Sequence, residues 1–379
     1  MSDLTAPENT QPLHSANVHL MDFDPQGLRD WLAKHGQPPF RAKQIFNWLY
    51  KHDITTPSAM PNIGKATQAL LETHCTTALP NMVDGIKSED GTQKWLLQLA
   101  SGQWIETVFI PEKKRGTLCI SSQVGCALAC RFCATGLQGL NRNLKTHEIL
   151  AQVWLARRAL RQQNPEQQMP ITNVVFMGMG EPLMNEKAVY PALKVLLSDD
   201  GFGLSKYRVT VSTSGIVPAM QRLRSHSPCA LAISLHAPND NLRDTLVPIN
   251  QSYPLDMLIE ACRSHFKHDH KRYITLEYIM LAGVNDTVKH AKQLIHIASQ
   301  FPCKINLIPY NTVEGLPYAP STSEDIAAFQ NKIKSAGLVC TIRQQRGDPI
   351  AAACGQLAGQ VQDRTKKTLN ASSNRKKKT

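Results

Sequence analysis

Gly116-Thr-Leu-Cys119-Ile-Ser-Ser122-Gln-Val-Gly-Cys126-Ala-Leu-Ala-Cys130-Arg-Phe-Cys133 is the stretch from which the fold can be read. Its first half holds a short apolar run, 118–122, of the kind that fills a buried strand. Its second half puts three thiols within eight residues. Three thiolates in one short loop wrap a corner of a metal cluster but do not complete a tetrahedral zinc site. No further Cys or His stands nearby at zinc-ligand spacing. Iron–sulfur clusters take Cys thiolates, and a three-ligand loop leaves one iron open to a chelating ligand. The competing readings are a structural zinc completed from a distance or three incidental core cysteines, and the density of thiols argues against the second.

Outward from this strand and loop, strand-like and helical patterns alternate six times. Apolar runs at 118–122, 174–177, 207–212, 230–235, 273–280 and 304–308 read as buried strands. Helical spacing falls at 147–161, 188–198, 217–225, 255–266, 288–300 and 324–336, and 339–343 offers a last short strand. Such alternation predicts an α/β fold with a mostly parallel sheet. A doubly wound sheet and a partial (βα)6 barrel both fit the count. The motifs decide between them, because each falls just after a strand, on what would be one rim of a barrel.

Before the barrel, 23–89 carries helical spacing broken by Pro38, Pro39 and Pro57, which predicts a small helical domain. Basic and aromatic residues mix there (Phe40, Arg41, Lys43, Phe46, Trp48, Tyr50, Lys51). That mixture suits nucleic acid, although Phe46, Trp48 and Leu49 also serve as a small core. Two strand-like runs, 94–100 and 103–110, meet at Ser101-Gly102 as a hairpin. On the second run Trp104, Glu106, Val108 and Ile110 share a face, and Glu106 is the only acid on that apolar stripe. The expected organisation is a leader at 1–16, a helical RNA-binding domain at 17–90, a hairpin at 91–116, the barrel at 117–345, a loop with Cys354 at 346–360 and a disordered basic tail at 361–379.

The chain has 379 residues, 42% of them apolar, and a formal charge of +12. Seven basic residues and one acid fall in 361–379, so half of that net charge sits in the tail. A basic balance favours a polyanionic partner. The polar, acid-bearing start lacks the basic and apolar blocks of a signal peptide, and no apolar run is long enough to span a bilayer. A cytoplasmic protein is expected, in which ten cysteines are thiols and not a disulfide framework.

Further motifs stand at successive strand ends: Gly178-Met-Gly180-Glu181-Pro182, Ser212-Thr-Ser-Gly215, Ser234-Leu235-His236-Ala-Pro238 and Asn306-Leu-Ile-Pro-Tyr-Asn311. With the CxxxCxxC loop and Phe132 before its last cysteine, they make the chain resemble the radical S-adenosylmethionine (SAM) superfamily. Over nearly its whole length it resembles, within that superfamily, the bacterial dual-specificity RNA adenine-C2 methyltransferases of the RlmN type. The resemblance implies a [4Fe–4S] cluster on Cys126, Cys130 and Cys133. It implies SAM, two per turnover, contacted by Gly180, Glu181, Ser212, Ser234, Leu235, His236 and Asn311. Its substrates would be 23S rRNA and tRNA, its electron donor a flavodoxin or ferredoxin, and its state a monomer.

The resemblance also gives catalytic roles to Cys354, Cys119 and Glu106. Cys354 would carry the methyl group, Cys119 would release the product by forming a disulfide with Cys354, and Glu106 would remove the ring proton. Carbon 2 of adenine is an electron-poor amidine carbon and no nucleophile toward SAM, which is why a radical route is needed. Cys75, Cys229, Cys262, Cys303 and Cys340 read as inert buried thiols. The rival readings are the sister enzyme acting at carbon 8, a non-catalytic RNA-binding protein with a structural metal, and a radical SAM enzyme acting on another substrate class.

Overall fold

The computed structural model describes residues 18–113, 115–266 and 272–344; the leader, the segment carrying Cys354 and the basic tail lie outside them. The N-terminal unit holds β1 (Val18–His19), α1 (Pro25–Lys34), α2 (Arg41–Tyr50), α3 (Lys65–His74) and β2 (Cys75–Thr76), with β1 and β2 paired in parallel. Asp24 caps α1 by accepting the Gly27 N–H at 2.7 Å, and Pro25 occupies the first helical position. Leu28 and Leu32 of α1 meet Ile45, Phe46 and Leu49 of α2 in a fully buried core. Phe46 and Leu49 therefore belong to packing. Trp48 is half-buried with its indole N–H on Asn62 Oδ1 at 2.6 Å, and Phe40 stays exposed.

The helical pattern does not run to residue 89. It ends at His74, and β3 (Asn81–Lys87) follows, then β4 (Gln93–Gln98), β5 (Trp104–Glu112) and β6 (Arg115–Cys119). The extension before the barrel is thus three antiparallel strands, not a lone hairpin. Strand β3 misleads because its register slips between Val83 and Ile86, where the alternation of a regular strand breaks. Met82, Val83 and Ile86 then fit helical spacing equally well.

After β6 come β7 (Gln123–Gly125), α4 (Ala134–Leu137), β8 (Leu140–Asn143), α5 (Thr146–Gln163), β9 (Asn173–Phe176), α6 (Glu186–Leu197), β10 (Val209–Thr213), α7 (Val217–His226) and β11 (Ala230–Ser234). The chain continues through α8 (Asp240–Leu246), α9 (Leu255–His265), β12 (Ile274–Met280), α10 (Val288–Ala298), β13 (Cys303–Pro309), α11 (Ser323–Lys334) and β14 (Cys340–Ile342). One sheet orders ten strands as β14-β13-β12-β11-β10-β9-β6-β5-β4-β3. Within this sheet, from β6 through β9 to β14, each strand is parallel to the one before it and lies beside it, while β7 and β8 form a separate antiparallel pair. The order never reverses, as a doubly wound sheet requires. The fold is therefore a partial (βα)6 barrel, widened by β14 at one edge and by β5, β4 and β3 at the other.

Register fixes what each face carries. Val174, Val209, Val211, Leu231, Ile233, Leu276 and Ile305 point to the helices and are buried. The alternate positions make the inner face, where Cys119, Val175 and Thr210 lie level with one another. Further along the same face lie Ser234, Glu277, Asn306 and Thr341. The N-terminal unit is bolted to the barrel through α5. Trp154 donates its indole N–H to Leu49 O at 2.9 Å, Asp53 pairs with Arg157 and Arg161, and Asp22 accepts the His147 N–H at 2.8 Å.

Candidate active site

The cysteine loop is a small braced hairpin. Strands β7 and β8 pair antiparallel, and Cys126 N–H donates to Gly139 O at 3.0 Å. Gly125 sits at φ +77°, where a Cβ would fall 1.9 Å from Gly139 O, so no other residue fits. Ala129 takes a left-handed conformation at φ 52°, turning the chain between the first two thiols. Cys133 N–H bonds Cys130 O at 3.2 Å, and α4 begins with the next residue. Phe132 packs into a separate apolar cluster with Ala237, Leu246, Ile279 and Tyr310, which anchors the loop to the far strands.

All three thiols open onto one cavity of about 940 Å³, mouth included, with Gly178, Gly180, Glu181, Ser212, Ser234, His236 and Glu277 also lining it. Burial, with repulsion from Glu181 and Cys133 added, pushes the Cys126 thiol up to about 12. Cys130 is pushed higher still, by burial and by its two neighbouring thiols. Thiols so placed keep their protons until a cation replaces them, which is the chemistry of a metal-cluster donor set. Among the described residues no three His, Cys, Asp or Glu side chains converge on a single ion. Three thiols lining one cavity are the donor set that a cluster of iron and sulfide would take. The residues fit the group.

Gly180 has φ +94°, and a Cβ there would come within 2.4 Å of the Gln123 side chain. Gln123 Oε1 accepts the Glu181 N–H at 2.8 Å, so this glycine lets the strand end of β9 press on the cysteine hairpin. The Glu181 carboxylate accepts N–H groups from Leu183 at 3.1 Å and Ser214 at 2.9 Å. It ties two strand ends together as well as facing the cavity. Burial raises it to about 7. His236, at φ 57°, accepts the Ile279 N–H on Nδ1 at 3.1 Å. That leaves Nε2 as its protonated nitrogen, and burial, with Arg243 nearby, depresses the ring to about 3.

The other expected contacts divide. Ser212 and Ser234 touch through their hydroxyls at 3.4 Å. The Leu235 side chain lies in the apolar core, so only its backbone can face a ligand. Asn311 is buried beside the rim but does not line this cavity. Cys119 and Glu106 share the inner face of adjoining strands, since Val108 pairs with Cys119 and Glu106 stands two residues away. Glu106 is buried, with Lys94 Nζ 3.8 Å from Oε1. Thr107 donates to Cys119 O and Ser121 to Glu106 O, each at 2.7 Å, which locks the two strands. Cys354 lies outside the described residues.

Sequence reading missed Arg243. Fully buried, it donates to Leu235 O at 3.1 Å, to Ser214 O at 2.6 Å and to Asn250 Oδ1 at 2.7 Å, and so orders the ends of β10 and β11. Its only sequence signal was Asn239, which caps α8 by accepting the Leu242 N–H at 3.0 Å. Gln123 and Glu277 were missed as well.

A singly wound partial barrel with three thiols over a glycine-lined cavity at its rim defines a radical SAM enzyme. The radical SAM superfamily model matches residues 120–295, and a model of the ribosomal RNA large subunit methyltransferase N-terminal domain matches 18–77. A radical SAM methyltransferase from Sphaerobacter thermophilus is 40% identical, with a TM-score of 0.83, over 90% of this chain and 99% of that one. Weaker likenesses include a domain of pyruvate-formate lyase-activating enzyme from Bacteroides vulgatus (18% identity, TM-score 0.36, 45% of this chain and 99% of that one). Another is Streptococcus suis SuiB bound to S-adenosylmethionine (13%, 0.44, 61% and 50%). The chain belongs to the radical SAM methyltransferases of the RlmN type. It is a SAM-dependent RNA methyltransferase whose cofactors are a [4Fe–4S] cluster and SAM. No helix among the described residues is long and apolar enough to cross a membrane.

Proposed function

We propose that this enzyme methylates carbon 2 of adenine in 23S rRNA and in tRNA, at the adenosine next to the anticodon, through a methylated Cys354. Cys126, Cys130 and Cys133 would hold the cluster, and Gly180, Glu181, Ser212, Ser234, Leu235, His236 and Asn311 would surround SAM. When bound, cluster and SAM supply a 5′-deoxyadenosyl radical able to take hydrogen from an S-methyl group, given one electron from a donor such as flavodoxin or ferredoxin. Cys354, as a thiolate, first accepts a methyl group from another SAM by displacement. Its methylene carbon would then bond to adenine C2, and the adduct would give up one electron to the cluster and its ring proton to Glu106. Cys119, as a thiolate, would attack the Cys354 sulfur; the C–S electron pair stays with the bridging carbon, which takes up a proton to become the methyl group, and a Cys119–Cys354 disulfide is left.

The observation that supports the reading is the placement of Glu106 and Cys119 on one face of the adjoining strands β5 and β6, where Val108 pairs with Cys119 and Glu106 lies two residues along, a carboxyl group and a thiol on the same side of the sheet. The target base must leave its stack to reach this rim. The protein acts as a monomer in this scheme.

The test is mass spectrometry of the tryptic peptide containing Cys354, from anaerobically purified protein expressed with SAM available, together with the nucleosides of treated RNA. A methyl-sized increment on Cys354, absent in Cys354→Ala, and 2-methyladenosine as product are expected. Unmodified Cys354 in an RNA-methylating, cluster-loaded enzyme would sink the carrier role. 8-Methyladenosine would move the enzyme to the sister specificity.

A further inference from the structure

Across five parallel strands the inner face carries a polar belt: Ser212 on β10, Ser234 on β11, Glu277 on β12, Asn306 on β13 and Thr341 on β14. The side chains touch in two groups, Ser212 with Ser234, and Glu277 with Asn306 and Thr341. Ser212 and Ser234 hydroxyls lie 3.4 Å apart, Asn306 Nδ2 donates to Glu277 Oε2 at 2.8 Å, and Thr341 Oγ1 lies 3.2 Å from Asn306 Oδ1. Glu277 sits directly beside Ser234 in register and lines the cavity under the thiols, although its residue is only 5% exposed. Among the described residues, Asn306 is the only hydrogen-bond donor to its carboxylate, through Oε2. Oε1 is left as an acceptor toward the cavity. Burial raises the Glu277 carboxyl above its ordinary value, opposed by Arg343, by the Asn306 hydrogen bond and by Lys304, which favour the ionised form.

A buried carboxylate oxygen open to a ligand cavity is costly unless the ligand completes it. Beside it, Asn306 Nδ2 uses one hydrogen on Glu277 and has a second to give. An acceptor next to an amide donor complements the adenine edge, where the 6-amino group donates and the neighbouring ring nitrogen accepts. A ribose diol makes no such demand, because each hydroxyl can donate or accept.

We propose that Glu277, held by Asn306, forms a subsite for the amino edge of an adenine ring, with Oε1 accepting from the 6-amino group. Two adenine rings come to this cavity, that of SAM and that of the target adenosine, and the second source rests on the reading given above.

The experiment uses the full chain with its cluster reconstituted, and probes both the ligand and the residue. Binding of SAM and of its 6-deamino analogue is measured by equilibrium dialysis. Methylation is measured on RNA carrying adenosine or purine riboside, which lacks the amine, at the target. Glu277→Gln is the informative variant. Asn306 would keep its bond to the Gln oxygen and turn the Gln amide N–H₂ toward the adenine amine, donor against donor. If the ring is that of SAM, the wild type binds the deamino analogue at least tenfold more weakly, and Glu277→Gln loses tenfold on SAM but nothing further on the analogue.

If the ring is that of the target, SAM binding is unchanged in the variant. kcat/KM then falls at least tenfold for adenosine RNA and not for purine-riboside RNA. Wild type that fails to discriminate on either ligand overturns the proposal even if the variant does not fold, and so does a variant that loses equally with and without the amine. Failure of the Cys354 route would appear in the peptide mass and leave these binding results standing.

Discussion

At the scale of single residues, chemistry and stability make separate demands. Cys119 is buried beside the strand that carries Glu106, and its proposed task comes late, after RNA and protein are joined. Cys119→Ala should therefore trap the joined species: a protein–RNA adduct that survives denaturing electrophoresis, with turnover reduced by roughly 100-fold or more. Normal methylation without adduct would remove Cys119 from the scheme. His265 on α9 is a stability residue instead. Burial, helped by Arg272 and Arg224, depresses it to about 4. The folded form holds it neutral, while the unfolded chain binds a proton below the ordinary value of 6.5. Its contribution is thus present above pH 6.5 and lost as pH falls from 6.5 toward 4, at about 1.4 kcal/mol per pH unit. Urea unfolding at pH 7.5 and 5.5 should find His265→Gln less acid-sensitive than wild type by about that amount. Equal slopes would refute the assignment.

At the scale of elements, the strand ends and not the strands do the positioning. Gly180, in the turn four residues beyond β9, lies against Gln123 of the cysteine hairpin, with no room for a methyl group. Gly180→Ala should cost about 1–3 kcal/mol of strain and displacement and weaken SAM binding by tenfold or more. Gly139→Ala makes the control: its φ is +71°, but nothing lies within 4 Å of the added carbon. It should pay only the conformational part and keep its SAM affinity, read by equilibrium dialysis. Equal effects at the two glycines would mean that the close approach at Gly180 does not matter. The barrel elements were legible in sequence because parallel strands buried on both sides leave apolar runs, and the helices between them keep their 3.6-residue stripe. Edge strand β3 was not, because Val83 and Ile86 are exposed and its register slips between them. Helix α8 was missed for a different reason: at seven residues it is too short to show a period.

At the scale of the whole molecule, charge and cavity divide the work of recognition. The net +12 predicts that RNA affinity falls linearly on a logarithmic salt axis, with a slope of about −0.7 to −0.9 for each phosphate neutralised. Removing residues 361–379 takes away half of that net charge and should make the slope shallower. The iron content and SAM affinity should stay unchanged, because the described residues that line the cavity all fall between Cys126 and Ile308. Filter binding at several salt concentrations decides it. An unchanged slope would make the tail a bystander and put the phosphate contacts on the body of the protein.

The sequence by itself determined the class of fold, the three-thiol loop and the glycine-bearing turns that follow the strands. Those signals are local: thiols spaced along one loop, apolar runs at fixed intervals, glycines where backbone must approach backbone. Only the tertiary structure decided which lone polar residues belong to the site. Glu277 and Arg243 lie far apart in sequence from the cysteines and carry no motif, and Asn306 opens a motif that was read for Asn311 alone. Strand register sets Glu277 beside Ser234, and a buried guanidinium reaches two neighbouring strand ends. A single polar residue inside an apolar strand looks the same whether it faces helices or a cavity, and parallel pairing fixes the face only when the strands come together.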